Sequence, residues 1–137
     1  MAEGGKMLKV SVVSAERLMW QGEAKSLVAK TPEGDIGILP GHEPVLALLV
    51  ASPLRIEEID GSKMMIAVHG GFFSVEHDNV NVIAEVAELA EDIDLDRAKA
   101  ALARLQEGGI TPEEEPAVRR AETRIQVACV AKGISTR

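Results

Sequence analysis

Eleven consecutive residues, Gly34-Asp35-Ile36-Gly37-Ile38-Leu39-Pro40-Gly41-His42-Glu43-Pro44, combine three glycines, two prolines, two carboxylates and a histidine. Glycine permits backbone angles that a side chain forbids, and proline fixes φ and removes a donor. The string therefore reads as a short apolar strand, Ile36 to Leu39, entering a loop built to hold one shape. A rigid loop carrying polar groups is suited to docking, not to turnover. No catalytic grouping supports the other view. The glycines at 34, 37 and 41 flank apolar residues and are followed by no Lys-Thr at a helix start, so they do not form a phosphate loop. His42, His69 and His77 have no cysteine companions and no metal-ligand spacing, and each reads as a loop residue. Cys129, the only cysteine, sits between Ala128 and Val130 in a predicted helix and reads as a buried, inert thiol. It excludes an internal disulfide and agrees with a reducing compartment. Glu57-Glu58 and Glu113 to Glu115 are read as solvated charges.

Charge narrows the partners. The chain has 137 residues and a formal net charge of −7, with two Phe, one Trp and no Tyr. An acidic, aromatic-poor protein is a poor match for nucleic acid, which demands a basic face and bases to stack on. The charge is uneven, however. Residues 116–137 hold five basic residues against the single Glu122. A basic last segment on an acidic protein points to an acidic partner. Met1 to Lys9 lacks an apolar stretch of signal-peptide length, and no run approaches the roughly 18 apolar residues of a membrane span. The expectation is a soluble protein able to bind a membrane machine.

The elements that must position these residues fall into two halves. Up to about residue 90, short apolar runs alternate with turn signals. Leu8, Val10 and Val12 alternate; Ser26 to Lys30 stops at Thr31-Pro32-Glu33-Gly34. Val45 to Val50 is apolar throughout, and Leu54, Ile56 and Ile59 precede the hairpin dipeptide Asp60-Gly61. Met64 to Val68 stops at Gly70-Gly71; Val80, Val82, Ala84 and Val86 alternate after His77-Asp78-Asn79. Many close strands without helical crossovers predict an antiparallel β-sandwich or flattened barrel over residues 1–91. From Asp94 the period changes. Leu95, Ala98, Leu102 and Leu105 make one helical stripe, capped by Asp94 and ended by Gly108-Gly109. Thr111-Pro112-Glu113-Glu114 matches a capping box, although Pro116 favours a helix start at Glu115. Val118, Ala121, Ile125 and Ala128 form the second stripe. The short link predicts an antiparallel hairpin over residues 92–137, giving a mainly β fold with C-terminal α. Alanine-rich stripes bury little area, so this hairpin should be marginal alone and able to undock.

The long loop at 34–44, Gly70-Gly71-Phe72-Phe73-Ser74-Val75, the strand Val80 to Ala84, and Ala87-Glu88-Leu89-Ala90-Glu91-Asp92-Ile93-Asp94 occur in an order and spacing that resembles the epsilon subunit of bacterial F-type ATP synthase. The resemblance covers nearly the whole chain. It implies a non-catalytic rotor subunit that couples rotation of the membrane c ring to the catalytic head, for proton or sodium translocation. The sandwich would sit on the central stalk against the gamma subunit and the c ring. The hairpin would lie folded on it or extend into the alpha/beta head and block ATP hydrolysis. The place implied is the cytoplasmic face of a bacterial plasma membrane, reached peripherally through the complex.

By the same resemblance, Glu33, Asp35 and His42 fall at polar contacts to the c ring, although His42 could serve the loop alone. Arg119, Arg120 and Arg124 would meet an acidic segment of the head; the alternative is a solvated helix face. The stretch Ile93-Asp94-Leu95-Asp96-Arg97-Ala98 matches a motif that binds ATP in some relatives, together with residues here matched by Glu88, Arg120 and Arg124. No cofactor is required, and a regulatory ATP is the expectation from that motif. A capped helix start with interhelical salt bridges would use the same residues. The rival function is a free-standing ATP-responsive small-molecule binding module, which would bind nucleotide yet associate with no gamma subunit.

Overall fold

Alternating burial decides where each strand points. In β1 (Leu8–Val13), Leu8, Val10 and Val12 face inward and are almost fully buried. They meet Ala24, Leu27 and Ala29 of β2 (Leu18–Thr31), Ile38 of β3 (Gly34–Ile38) and Leu54 and Ile56 of β5 (Ser52–Glu58). Phe73 and Val75 of β6 (Lys63–Glu76) and Val80 and Val82 of β7 (Asn79–Leu89) close the core from the other side. The computed structural model describes residues 6–133. The outer ends of the two expected domains, 1–5 and 134–137, lie outside the described residues.

The seven strands run in the order β1-β7-β6-β5-β2-β3, with β4 (Val45–Leu48) on β6, and β1 also pairs β2. That last pairing closes a ring of five strands, flattened into a sandwich. Every pairing is antiparallel except β1 with β7, which is parallel. Two strands of fourteen residues, β2 and β6, serve both layers. The start of β2 pairs β1 and its end pairs β3; the start of β6 pairs β5 and its end pairs β4.

That dual service corrects two expectations. Gly70-Gly71 does not stop a strand: β6 runs through the pair, with φ of +77° and +104°, and bends there from one layer to the other. A Cβ on Gly71 would stand 2.1 Å from the Ile83 carbonyl oxygen, so only glycine lets β6 and β7 approach this closely. His69 is therefore a buried strand residue, not a loop residue. On β7 the alternation slips at the same level: Ala84 is buried, Val86 is exposed and Ala87 is buried.

Past β7 a 3-10 turn, Ala90–Asp92, leads into α1 (Leu95–Glu107). The Asp94 carboxylate accepts the Arg97 N–H at 3.0 Å as the helix cap. Gly109, at φ +79°, turns the chain after α1. The Glu114 carboxylate accepts the Thr111 N–H at 3.1 Å in a capping box, and α2 (Glu115–Ala131) starts one residue later. Both starting signals read from the sequence are thus used, the first by a single 3-10 turn. α1 packs on α2, and α2 packs on β5 and β6. α2 accordingly buries six residues, Val118, Ala121, Thr123, Val127, Ala128 and Cys129, whereas α1 buries only Ala98.

Candidate functional site

Two regions hold the residues singled out from the sequence. The first is the junction of α2 with the sandwich. Its apolar part is small: Ala67, Ile93, Val127 and Ala128 form a cluster of their own, separate from the sandwich core. Its polar part is a three-residue chain. The Glu88 Oε1 on β7 accepts a 2.7 Å bond from the Arg124 Nε on α2 and faces the His69 Nε2 on β6 at 2.9 Å. The Arg124 bond is the one side-chain hydrogen bond from α2 to the sandwich among the described residues. His69 is buried, and with Nε2–H donating to Glu88 its Nδ1 is enclosed without a partner. The bond from His69 holds the Glu88 carboxyl below the ordinary glutamate range; the Arg124 bond and charge add to this, and burial opposes it.

Of the seven residues matched to the ATP motif, the fold brings Glu88 and Arg124 together and uses three others structurally. Ile93 packs into the junction cluster, Asp94 caps α1, and Ala98 is buried beneath it. Arg97 and Arg120 are exposed. Arg120 and Arg119 line an open groove of about 620 Å³ with His69, Gly70, Glu85 and Pro116. As folded, Glu88 is engaged by its two neighbours and the three arginines do not converge on one pocket. Arg124, the third of the expected head contacts, is half-buried and paired, while Arg119 and Arg120 face solvent. No pattern in the sequence marks His69 for this contact, which follows from the bend of β6.

The second region is the glycine-proline loop and its strand. Asp35 points outward from β3, opposite Lys30, and Glu33 is exposed in the turn before it. Thr31 organises that turn, its Oγ1 donating to the Gly34 carbonyl at 2.9 Å and accepting the Glu33 N–H at 3.1 Å. His42 lies beyond the other end of β3, half-buried, with Nδ1 2.7 Å from the Glu43 carbonyl. The three residues are thus spread along and beyond both ends of one short strand and do not form a cluster. The strand that follows this loop belongs to an apolar surface that periodicity alone does not reveal. Leu46 and Leu48 on β4 are 70 % and 64 % exposed, and Leu48, Phe72 and Ile83 form a row across β4, β6 and β7. A row of exposed large apolar side chains on paired strands is the mark of a protein-binding face.

No helix among the described residues is long and apolar enough to cross a membrane. Residues 7–90 match the family described as ATP synthase, Delta/Epsilon chain, beta-sandwich domain. Among similar proteins, the ATP synthase epsilon chain of Streptomyces griseus is 42 % identical over 123 residues, 90 % of this chain and 96 % of that one. The epsilon chain of Streptomyces avermitilis is 44 % identical over 120 residues, 87 % of this chain and 93 % of its own. The epsilon chain of Rhodococcus jostii is 50 % identical over 97 residues, 70 % of this chain and 80 % of its own. In fold, a chain of the Euglena gracilis mitochondrial ATP synthase (OSCP/F1/c-ring) superimposes with a TM-score of 0.70 at 24 % identity, covering 93 % of this chain and 81 % of the other.

Proposed function

This chain belongs to the ATP synthase epsilon chains, and we propose that it works as the non-catalytic central-stalk subunit whose hairpin restrains ATP hydrolysis. The observation that carries this reading is the division of cohesion. The buried main core is built from residues 8–87, and among the described residues the hairpin rests on the sandwich through one small apolar cluster and one ion pair. A sandwich that keeps its core without the helices can stay docked while they move.

In this reading the apolar row of Leu48, Phe72 and Ile83 meets the gamma subunit. Glu33, Asp35 and His42 meet the polar loops of the c ring. Surface ion pairs are worth about 0–1 kcal/mol each, so shape must supply most of that contact. Arg119 and Arg120, joined by Arg124 once it leaves Glu88, meet the acidic segment of the alpha/beta head when the hairpin extends. The subunit then lies at the cytoplasmic face of a bacterial plasma membrane, held there through the complex. Deletion of residues 93–137 is the test. The truncated chain should still assemble on the stalk and should raise the ATPase rate of the complex. Loss of gamma binding on truncation would refute the division of labour.

The proposal extends to a regulatory ATP held by Arg97, Arg120 and Arg124. Arginines suit a phosphate chain because their planar donors pair its oxygens. Binding must draw Arg124 off Glu88, so nucleotide and docking bond compete for one guanidinium. Isothermal titration with MgATP should give heat for the intact chain and none for Arg97→Ala. Absence of heat up to millimolar ATP would leave these residues with structural work only.

A further inference from the structure

The loop that carries His42 is held from across the molecule. The His42 N–H donates to the Leu39 carbonyl at 3.0 Å, Pro40 and Gly41 are the central residues, and Gly41 has φ +90°. This is a type II turn, with proline and glycine where that turn favours them. A type II turn differs from type I by a flip of the central peptide, here the one joining Pro40 to Gly41. The flip turns the Gly41 N–H outward, where the turn itself offers no acceptor. The Asp78 Oδ1, thirty-seven residues on, accepts that N–H at 2.7 Å. Asp78 is in the β6–β7 turn, and His77 and Asp78 both have left-handed backbones, with φ of +52° and +64°. That is the hairpin geometry favoured by Asn, Asp and Gly. The Asp78 carbonyl meanwhile accepts the Lys9 N–H at 2.8 Å, which fixes the turn to the start of β1.

We propose that Asp78 is a positioning residue for docking: its carboxylate selects the type II form of the Leu39–His42 turn and thereby sets how His42 meets its partner. This rests on the reading of that loop as the c-ring contact and adds a residue from a different turn to it. The alternative turn would rotate the Pro40–Gly41 peptide and carry the following residues with it. A carboxylate accepting a backbone N–H is a charge-assisted bond, stronger than a neutral one, although solvent weakens it here.

Three variants test this. Asp78→Gly suits the positive φ and removes the acceptor. Asp78→Asn suits the positive φ and keeps an acceptor oxygen. Both retain the backbone carbonyl that holds Lys9. Amide exchange of Gly41 in the intact chain reads the clamp, and the affinity of the chain for ATP synthase depleted of this subunit reads docking. Asp78→Gly should speed Gly41 exchange and weaken reassembly by about fivefold, the weaker end expected for a partly exposed charged hydrogen bond, with Asp78→Asn near the parent in both. Unchanged exchange in Asp78→Gly, or equal losses in both variants, would overturn the proposal. His42→Ala separates the two levels. If it leaves reassembly unaltered while Gly41 still responds to Asp78→Gly, the docking role is refuted and only the clamp stands.

Discussion

One carboxylate oxygen of Glu88 serves both His69 and Arg124, so the charge of a single residue ties β6 and β7 to the last helix. The sign of its pH dependence follows. Its carboxyl is held below the ordinary 4.5 of a glutamate. A group whose folded pKa is depressed contributes stability that is present above its unfolded pKa and lost as pH falls through its folded one. Docking of α2 should therefore be steady from neutral pH down to about 5 and weaken progressively as pH falls below the ordinary glutamate value and on through the depressed one. Trp20 lines one cavity with Val130 and Ala131 of α2, and its emission can report docking. Arg124→Ala should lower hairpin stability by about 1 kcal/mol, a charged hydrogen bond discounted for a side chain about one-third exposed. Its acid transition should also shift to higher pH. An acid transition identical in parent and variant would exclude Glu88 as the titrating group. Glu88 and Arg124 were both legible as chemistry, being the right types in a known pattern. Their pairing was not, because a separation of thirty-six positions hides which face of α2 meets β7.

At the scale of elements, what could be read depended on whether burial was one-sided. β1, half-buried on a clean two-residue period, matches its reading residue for residue. β2 and β6 run longer than their apolar patterns indicate because each leaves one layer for the other, and a strand that changes its covered face breaks its own alternation. Gly70-Gly71 looked like a stop for the same reason: in a sequence a bend and a turn use the same residue. The apolar run Val45 to Val50 contained no sign that Leu46 and Leu48 face outward, since a face reserved for a partner has the composition of a core. The helix ends were legible in detail, because caps are local chemistry. On α2 the stripe Val118, Ala121 and Ala128 is buried as its spacing predicts, and Thr123, off that stripe, is covered as well because α2 lies between α1 and the sheet.

Across the whole molecule, stickiness and cohesion are segregated. The side chains that hold the sandwich together point inward, and the row of Leu48, Phe72 and Ile83 lies outside that core with a large part of its area in water. That separation makes its partner role testable without unfolding the protein. Phe72 is 39 % exposed and sits between Leu48 and Ile83 on the neighbouring strands. Phe72→Glu places a charge in the middle of the row, and a buried unpaired charge at an interface is costly. The variant should keep the unfolding midpoint of the parent to within a few degrees, since surface substitutions usually change stability by about 0.5 kcal/mol or less. Its affinity for the gamma subunit should fall by about thirtyfold, matching the roughly 2 kcal/mol of a central interface residue. Asp35→Ala, on the outward side of β3, should leave gamma binding unchanged and so serve as the matched surface control. Equal affinity of the Phe72 variant and the parent, measured on gamma immobilised at low density, would mean that gamma approaches a different face of the sandwich.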